Sequence, residues 1–208
     1  MTKSTHTSQM LLWIGALLGY GGPWIAQSSA ALAWNAYDMF DVLRLLPEIE
    51  TGALSVNLQA LRLPLIGLAV LLPVLYANLR WFWRITAATL GAGLALATLP
   101  PYPEIVTAWR TPGWRIPFWW GVGAILAAGA LIELASRLGK SRQWLIVGWL
   151  ALTGIPAVAT FNRLLPALHT LHTRPVHTGW GFWLWGIATL LLALICWYEG
   201  ATQKSDGE

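Results

Sequence analysis

Six apolar stretches, at residues 10–30, 64–79, 85–100, 118–133, 144–160 and 181–198, run through this 208-residue chain, and none carries a charge near its middle. A hydrocarbon core of about 30 Å takes roughly 20 helical residues, or somewhat fewer where interfacial side chains complete the crossing. The pattern predicts an all-α fold: a polytopic transmembrane helical bundle of six spans arranged as three hairpins, in a single integral-membrane domain over residues 1–208. Composition agrees with this class. With 56% hydrophobic and 11% charged residues and a mean hydropathy of +0.56, too little polar surface remains to cover a soluble globule.

The same stretches limit the chemistry. Pumps, proton relays and ion-coupled carriers place ionisable side chains in the bilayer interior, and these segments offer almost none. The formal charge of +4 comes without any run of Lys and Arg dense enough to follow a phosphate backbone, so nucleic acid is not an expected partner. Cys196 is the single cysteine. An internal disulfide and a multi-cysteine metal site are therefore excluded, and a small buried thiol is the simple reading. Lys3, the apolar run from Met10 and the small residues through Ser28, Ser29 and Ala30 resemble a signal peptide. The run reaches spanning length, however, and is read as a first helix.

Charge and aromatic placement suggest an orientation. Basic residues stand directly at helix ends around two short loops, residues 78–84 and 137–143, while Asp38, Asp41, Glu48, Glu50 and Glu104 fall on the opposite side. Basic residues are nearly even between the two sides, so the positive-inside rule decides little by count. Their place at the ends of short loops, with the acids opposite, is what puts both termini in the cytoplasm of a multi-pass cell-membrane protein. Of 15 Trp, those at 24, 34, 109, 114, 119, 120, 180, 183 and 185 fall at the outer face, and Trp81, Trp83, Trp144 and Trp197 mark the inner boundary. Indole suits the headgroup layer, and the outer excess also suits a surface that meets a partner or pigment.

Two helix entrances look alike. One reads Gly113-Trp114 followed by Phe118-Trp119 and Gly121, the other Gly179-Trp180 followed by Phe182-Trp183 and Gly186. A tandem repeat of helical hairpins near 85–137 and 144–198 would explain this, as would chance in a chain rich in Gly and Trp. In the long first outer loop, Asn35 can cap a short helix with Asp38 near its free N–H groups. The polar stripe Asn35, Asp38, Asp41 and Arg44 on an otherwise apolar cylinder predicts an interfacial helix over residues 35–46, lying in the headgroup layer or under a neighbouring subunit. Pro47 ends it. Glu48 and Glu50 lack further oxygen ligands for a cation and read as a solvated turn.

Candidate chemistry is sparse. His169 and His172 are three apart and could share a helix face, but His177 follows Pro175, and no Asp, Glu or Cys nearby completes a metal site. No catalytic residue, metal site or cofactor is assigned, although a lone boundary His could ligate one chlorin-type pigment. Ser28 and Ser29 lack triad partners, and no Gly-x-Ser-x-Gly or Walker A sequence occurs. Glu133, the one acid inside an apolar stretch, is four residues before Arg137, so an ion pair accounts for it.

Small residues carry more information. They line the first, third and fourth stretches and allow close helix approach in lipid. The fourth has more of them than one hairpin contact uses. This nominates Gly121, Gly123 and Gly129, with Trp114, Trp119, Trp180 and Trp183 above them, as a partner interface. The sequence therefore suggests a non-catalytic integral-membrane subunit of a larger membrane complex, with bioenergetic and photosynthetic assemblies among the candidates, whose partners are membrane lipid and other integral-membrane subunits. The alternative is a membrane component of a small-molecule or lipid transporter energised by another chain. A membrane-embedded enzyme is the least supported reading.

Overall fold

The structure, a computed structural model, describes residues 3–27, 33–100, 103–139, 141–171 and 176–205. Its helices are α1 (Lys3–Gly21), α2 (Ala36–Leu43), α3 (Pro47–Glu50), α4 (Leu63–Tyr76), α5 (Trp81–Leu96), α6 (Pro112–Arg137), α7 (Ser141–Leu171) and α8 (Trp180–Ser205). Short strands β1 (Ile25–Gln27), β2 (Ala33–Trp34) and β3 (Val176–Thr178) form one sheet in the order β2-β1-β3.

Two expectations are corrected. Among the described residues four helical segments, not six, are long and apolar enough to cross a bilayer: Leu58–Tyr76, Pro112–Arg137, Ser141–His169 and Trp180–Thr202. The helix α5 has only 16 residues, about 24 Å at 1.5 Å per residue, and carries Arg84 in its first turn. In α1 the opening residues Lys3 to Gln9 are polar, and the helix stops at Gly21 because Pro23 cannot continue it. The apolar run then passes into β1, so part of the first stretch is strand and the chain is not wholly α.

The three-hairpin arrangement also fails. The helix α4 is apolar on every side, which demands burial on every side. Pro64 through Leu75 are all buried, with α1, α5, α6 and α7 packed around them. The most extensive helix contact joins α1 to α8, the first long helix to the last.

Glycine permits that contact. A Cβ at Gly19 would strike the backbone of Trp185 and sit 2.9 Å from the Gly181 carbonyl, and one at Gly181 would sit 2.8 Å from the Gly19 carbonyl. Near the same point the sheet closes the end of the bundle. Ile25 pairs with Trp34 and with Thr178, and Ala26 pairs with Ala33 and with His177. Gly179 and Gly181 donate their N–H groups to the Trp24 and Pro23 carbonyls, each at 2.8 Å. The two similar helix entrances differ in use: Gly113 faces open space and Trp114 is buried, whereas Trp180 is exposed.

The bundle thus has a sheet end and a basic end, where α1, α5 and α7 begin and α4, α6 and α8 finish. At the sheet end Trp24 is fully buried, with the rings of Trp185, Phe182 and Phe161 at 5.1, 5.2 and 5.6 Å. Its indole donates to the Gly19 carbonyl at 3.2 Å. Trp24, Trp114 and Trp185, expected in an interfacial rim, are core residues. Trp109, Trp119, Trp120, Trp180 and Trp183 do remain exposed.

Candidate functional site

At the sheet end the predicted loop helix forms as α2, with the Asn35 side chain accepting the Asp38 N–H at 2.8 Å, but it stops at Leu43 rather than Leu46, and Pro47 opens α3 instead of ending α2. Its apolar face is covered by this chain's own core: Ala36, Met39, Phe40 and Leu43 are buried. The 3–4 spacing of Tyr37, Phe40 and Asp41 brings two rings and a carboxylate to a single side chain, Arg62, at the foot of α4. Arg62 is almost fully buried. Its guanidinium carbon is 3.7 Å from the Phe40 ring centroid and 5.5 Å from those of Tyr37 and Trp114. Nη1 donates to the Thr98 carbonyl at 3.1 Å and Nη2 to Asp41 Oδ1 at 3.4 Å.

Arg44 stands outside this cage, 4.3 Å from the Trp114 ring centroid and 3.9 Å from Asp41 Oδ1. One carboxylate thus lies between two guanidiniums. Arginine keeps its proton in proteins, so Arg62 cannot relay one. Chemically the cluster is a clamp, joining α2, α4, the end of α5 and the first turn of α6 through one desolvated cation. The spacing of Tyr37, Phe40 and Asp41 shows only that they share a helix face; nothing local in the sequence pointed to Arg62.

A second buried polar cluster lies at the basic end. Gln9 of α1 and Gln143 of α7 both donate to Glu199 Oε2 of α8, at 3.0 and 2.6 Å. Gln9 also reaches the Sγ of Cys196 at 3.6 Å. Arg142 is buried within electrostatic reach of Glu199 and Cys196. In lipid such interhelical hydrogen bonds hold helices together, on average by about 0.6 kcal/mol each. Glu199 is the residue that sequence reasoning missed, because it follows the last apolar stretch directly and the Gln partners are remote in sequence. Glu133 pairs as expected with Arg137 at 2.9 Å, and also with Arg84 of α5 at 3.0 Å.

The histidines considered from sequence are only partly described. His169 is exposed on α7, His177 is exposed on β3, and His172 lies outside the described residues. Among the described residues no group of three or more His, Cys, Asp and Glu could hold a metal ion.

The nominated interface residues divide into two sets. Gly121 packs under Leu99 and Thr98, and Trp114 belongs to the Arg62 cage. By contrast Gly123 and Gly129 face open space. They continue an exposed stripe of α6 that begins at Ile116 and Trp119 and passes through Leu126 to Leu134. Trp180 and Trp183 are exposed at the start of α8. Beside this stripe an apolar groove of about 300 Å³ is lined by Trp119, Trp120, Gly123, Ala127 and Trp149. A larger groove of about 580 Å³ runs between α7 and α8, with Gly154, Ile155, Val158, Trp185, Gly186 and Leu190 among its walls.

No family model, curated protein or solved structure matches this chain. The site alone supplies the argument for function. What the residues establish is an integral-membrane helical protein with several membrane-crossing helices.

Proposed function

We propose that this protein is a non-catalytic subunit of a larger membrane complex, seated against a neighbouring helix through the exposed face of α6. The observation that carries this reading is the open surface at Gly123 and Gly129, within a span of which only 22% is buried inside the chain. Lipid tails are as apolar as leucine, so a glycine face gains little from lipid and much from a closely packed helix. Exposed Trp119 would continue the contact at the headgroup level, with Trp180 and Trp183 on a second helix of the same end, where buried aromatic area contributes strongly to binding. Both buried polar clusters are fitted to holding helices, and neither presents a reactive group to a substrate. The basic end is assigned to the cytoplasm by the arginines at its helix ends.

Purification from native membranes in mild detergent tests this directly. Defined partner chains should copurify, and Gly123→Leu with Gly129→Leu should release them while leaving helix content and thermal unfolding of the chain unchanged. A chain that purifies alone and keeps its cellular activity with both substitutions overturns the proposal.

The groove between α7 and α8 favours the second reading, a membrane component of a transporter for an apolar or lipid-like substrate. It is apolar, opens sideways, and has a volume in the range of small-molecule sites. Copurification of an ATP-hydrolysing chain, with lipid movement in reconstituted vesicles that Gly154→Leu blocks, would establish it over the scaffold.

A further inference from the structure

A third recess lies at the basic end, between the first turns of α1, the end of α4 and the start of α5. It has a volume of about 420 Å³ and is lined by His6, Thr7, Met10, Tyr76, Leu79 and Trp83. Unlike the two grooves along the helices, its lining is amphipathic, with an imidazole, a hydroxyl and a phenol beside a thioether, a leucine and an indole. The His6 ring is set edge-on to Tyr76 at 5.6 Å, and its Nδ1 has no hydrogen-bond partner among the described residues. Tyr76 and Trp83 are aromatic walls beside this unpartnered ring nitrogen.

The surroundings are cationic and aromatic. Arg80, between the lining residues Leu79 and Trp83, is exposed and has no ion-pair partner among the described residues. Among the described residues no carboxylate lines the recess. At this end Glu133 is held by Arg84 and Arg137, and Glu199 is buried among α1, α7 and α8. Neither opposes an incoming anion. Trp81, Phe82 and Trp83 are 71, 59 and 50% exposed, a cluster that belongs in the headgroup layer. An exposed aromatic cluster of this kind suits the depth of phosphates and glycerol backbones rather than that of the tails.

We infer that this recess binds one anionic phospholipid, with its phosphate toward His6, Thr7 and Arg80 and its upper acyl segment against Met10, Leu79 and Trp83. Choline or ethanolamine headgroups cancel the phosphate charge and lose the attraction of Arg80. A free phosphate lacks the apolar segment that the other half of the recess would cover.

The test is native mass spectrometry of the delipidated full-length chain titrated with palmitoyl-oleoyl phosphatidylglycerol, and separately with phosphatidylcholine of the same chains. One phosphatidylglycerol should be retained per chain at concentrations where phosphatidylcholine is not. Arg80→Gln, at an exposed position that the fold does not use, should weaken it about fivefold, the worth of one basic residue near an anionic surface. His6→Ala with Trp83→Leu should weaken it further, with the unfolding midpoint in detergent confirming that the variant is folded. Equal retention of both lipids, unchanged binding in Arg80→Gln, or displacement by millimolar inorganic phosphate would each overturn the inference.

Discussion

Arg62 concentrates more interactions than any other polar side chain at the sheet end. A desolvated cation over aromatic faces is worth about 2 kcal/mol, and a charged hydrogen bond adds about 1.5–3 kcal/mol. Removing the side chain also leaves the Thr98 carbonyl without its donor. Arg62→Ala is expected to destabilise the chain by about 3 kcal/mol, measured by reversible unfolding in mixed detergent micelles. Arg62→Lys should fall between the two, because an ammonium keeps the charge but loses the planar contact and the second direction of donation. Wild-type stability in Arg62→Ala would mean the cage is incidental. Glu199 makes a different case. Glu199→Leu leaves the Gln9 and Gln143 amides without their shared acceptor and should cost about 1–3 kcal/mol, whereas Glu199→Gln keeps an acceptor oxygen and should cost less. If the two variants unfold alike, the carboxylate is not the centre of that network.

Among the elements, α1 and α8 depend on backbone approach, and α6 does not. Gly19 and Gly181 face each other's helix with no room for a methyl group. Forcing extra volume into such a contact costs typically about 1–3 kcal/mol, so Gly19→Ala and Gly181→Ala should each lower the unfolding midpoint. Gly123→Ala and Gly129→Ala meet nothing inside the chain and should hold or raise helix stability, since alanine is favoured over glycine by about 1 kcal/mol in a helix interior. A loss of stability at Gly123 in the isolated chain would show that its face packs against this protein rather than a partner. The helix α2 gives the parallel lesson for an apolar face. Its narrow polar stripe is visible in sequence, but what covers the other side is this chain's own segment Leu58–Arg62 together with α1.

For the whole molecule, the gathering of α1's first turns and α8's last turns at one end, tied by Gln9 and Glu199, defines an axis. We propose that this end faces the cytoplasm, because its basic residues stand directly at helix ends around short loops. Single cysteines at Ser141 and Thr111, both exposed and at opposite ends, can report it, because native Cys196 is fully buried. An impermeant maleimide applied to intact cells should label Thr111→Cys and spare Ser141→Cys. The reverse pattern would invert the assignment.

What sequence alone determines here is local. Apolar length and the absence of central charges specify membrane-embedded helices. Asn35 and Asp38 specify the start of α2, and the i,i+4 spacing of Glu133 and Arg137 specifies their pair. Each of these is encoded within a few residues by hydrogen-bond geometry or burial. The number of true spans was less legible, because residues 10–30 read as one run although Pro23 ends the helix and strands of two and three residues follow, too short to show a period. The tertiary structure decided which Trp are core and which face lipid, since indole suits both places. It also decided that α4 is the central helix and that α8 lies against α1. The Arg62 cage and the Gln9–Gln143–Glu199 cluster were hidden for the same reason. Their hydrogen-bonded partners are 21 to 190 residues apart, and only the packing of helices brings them within reach.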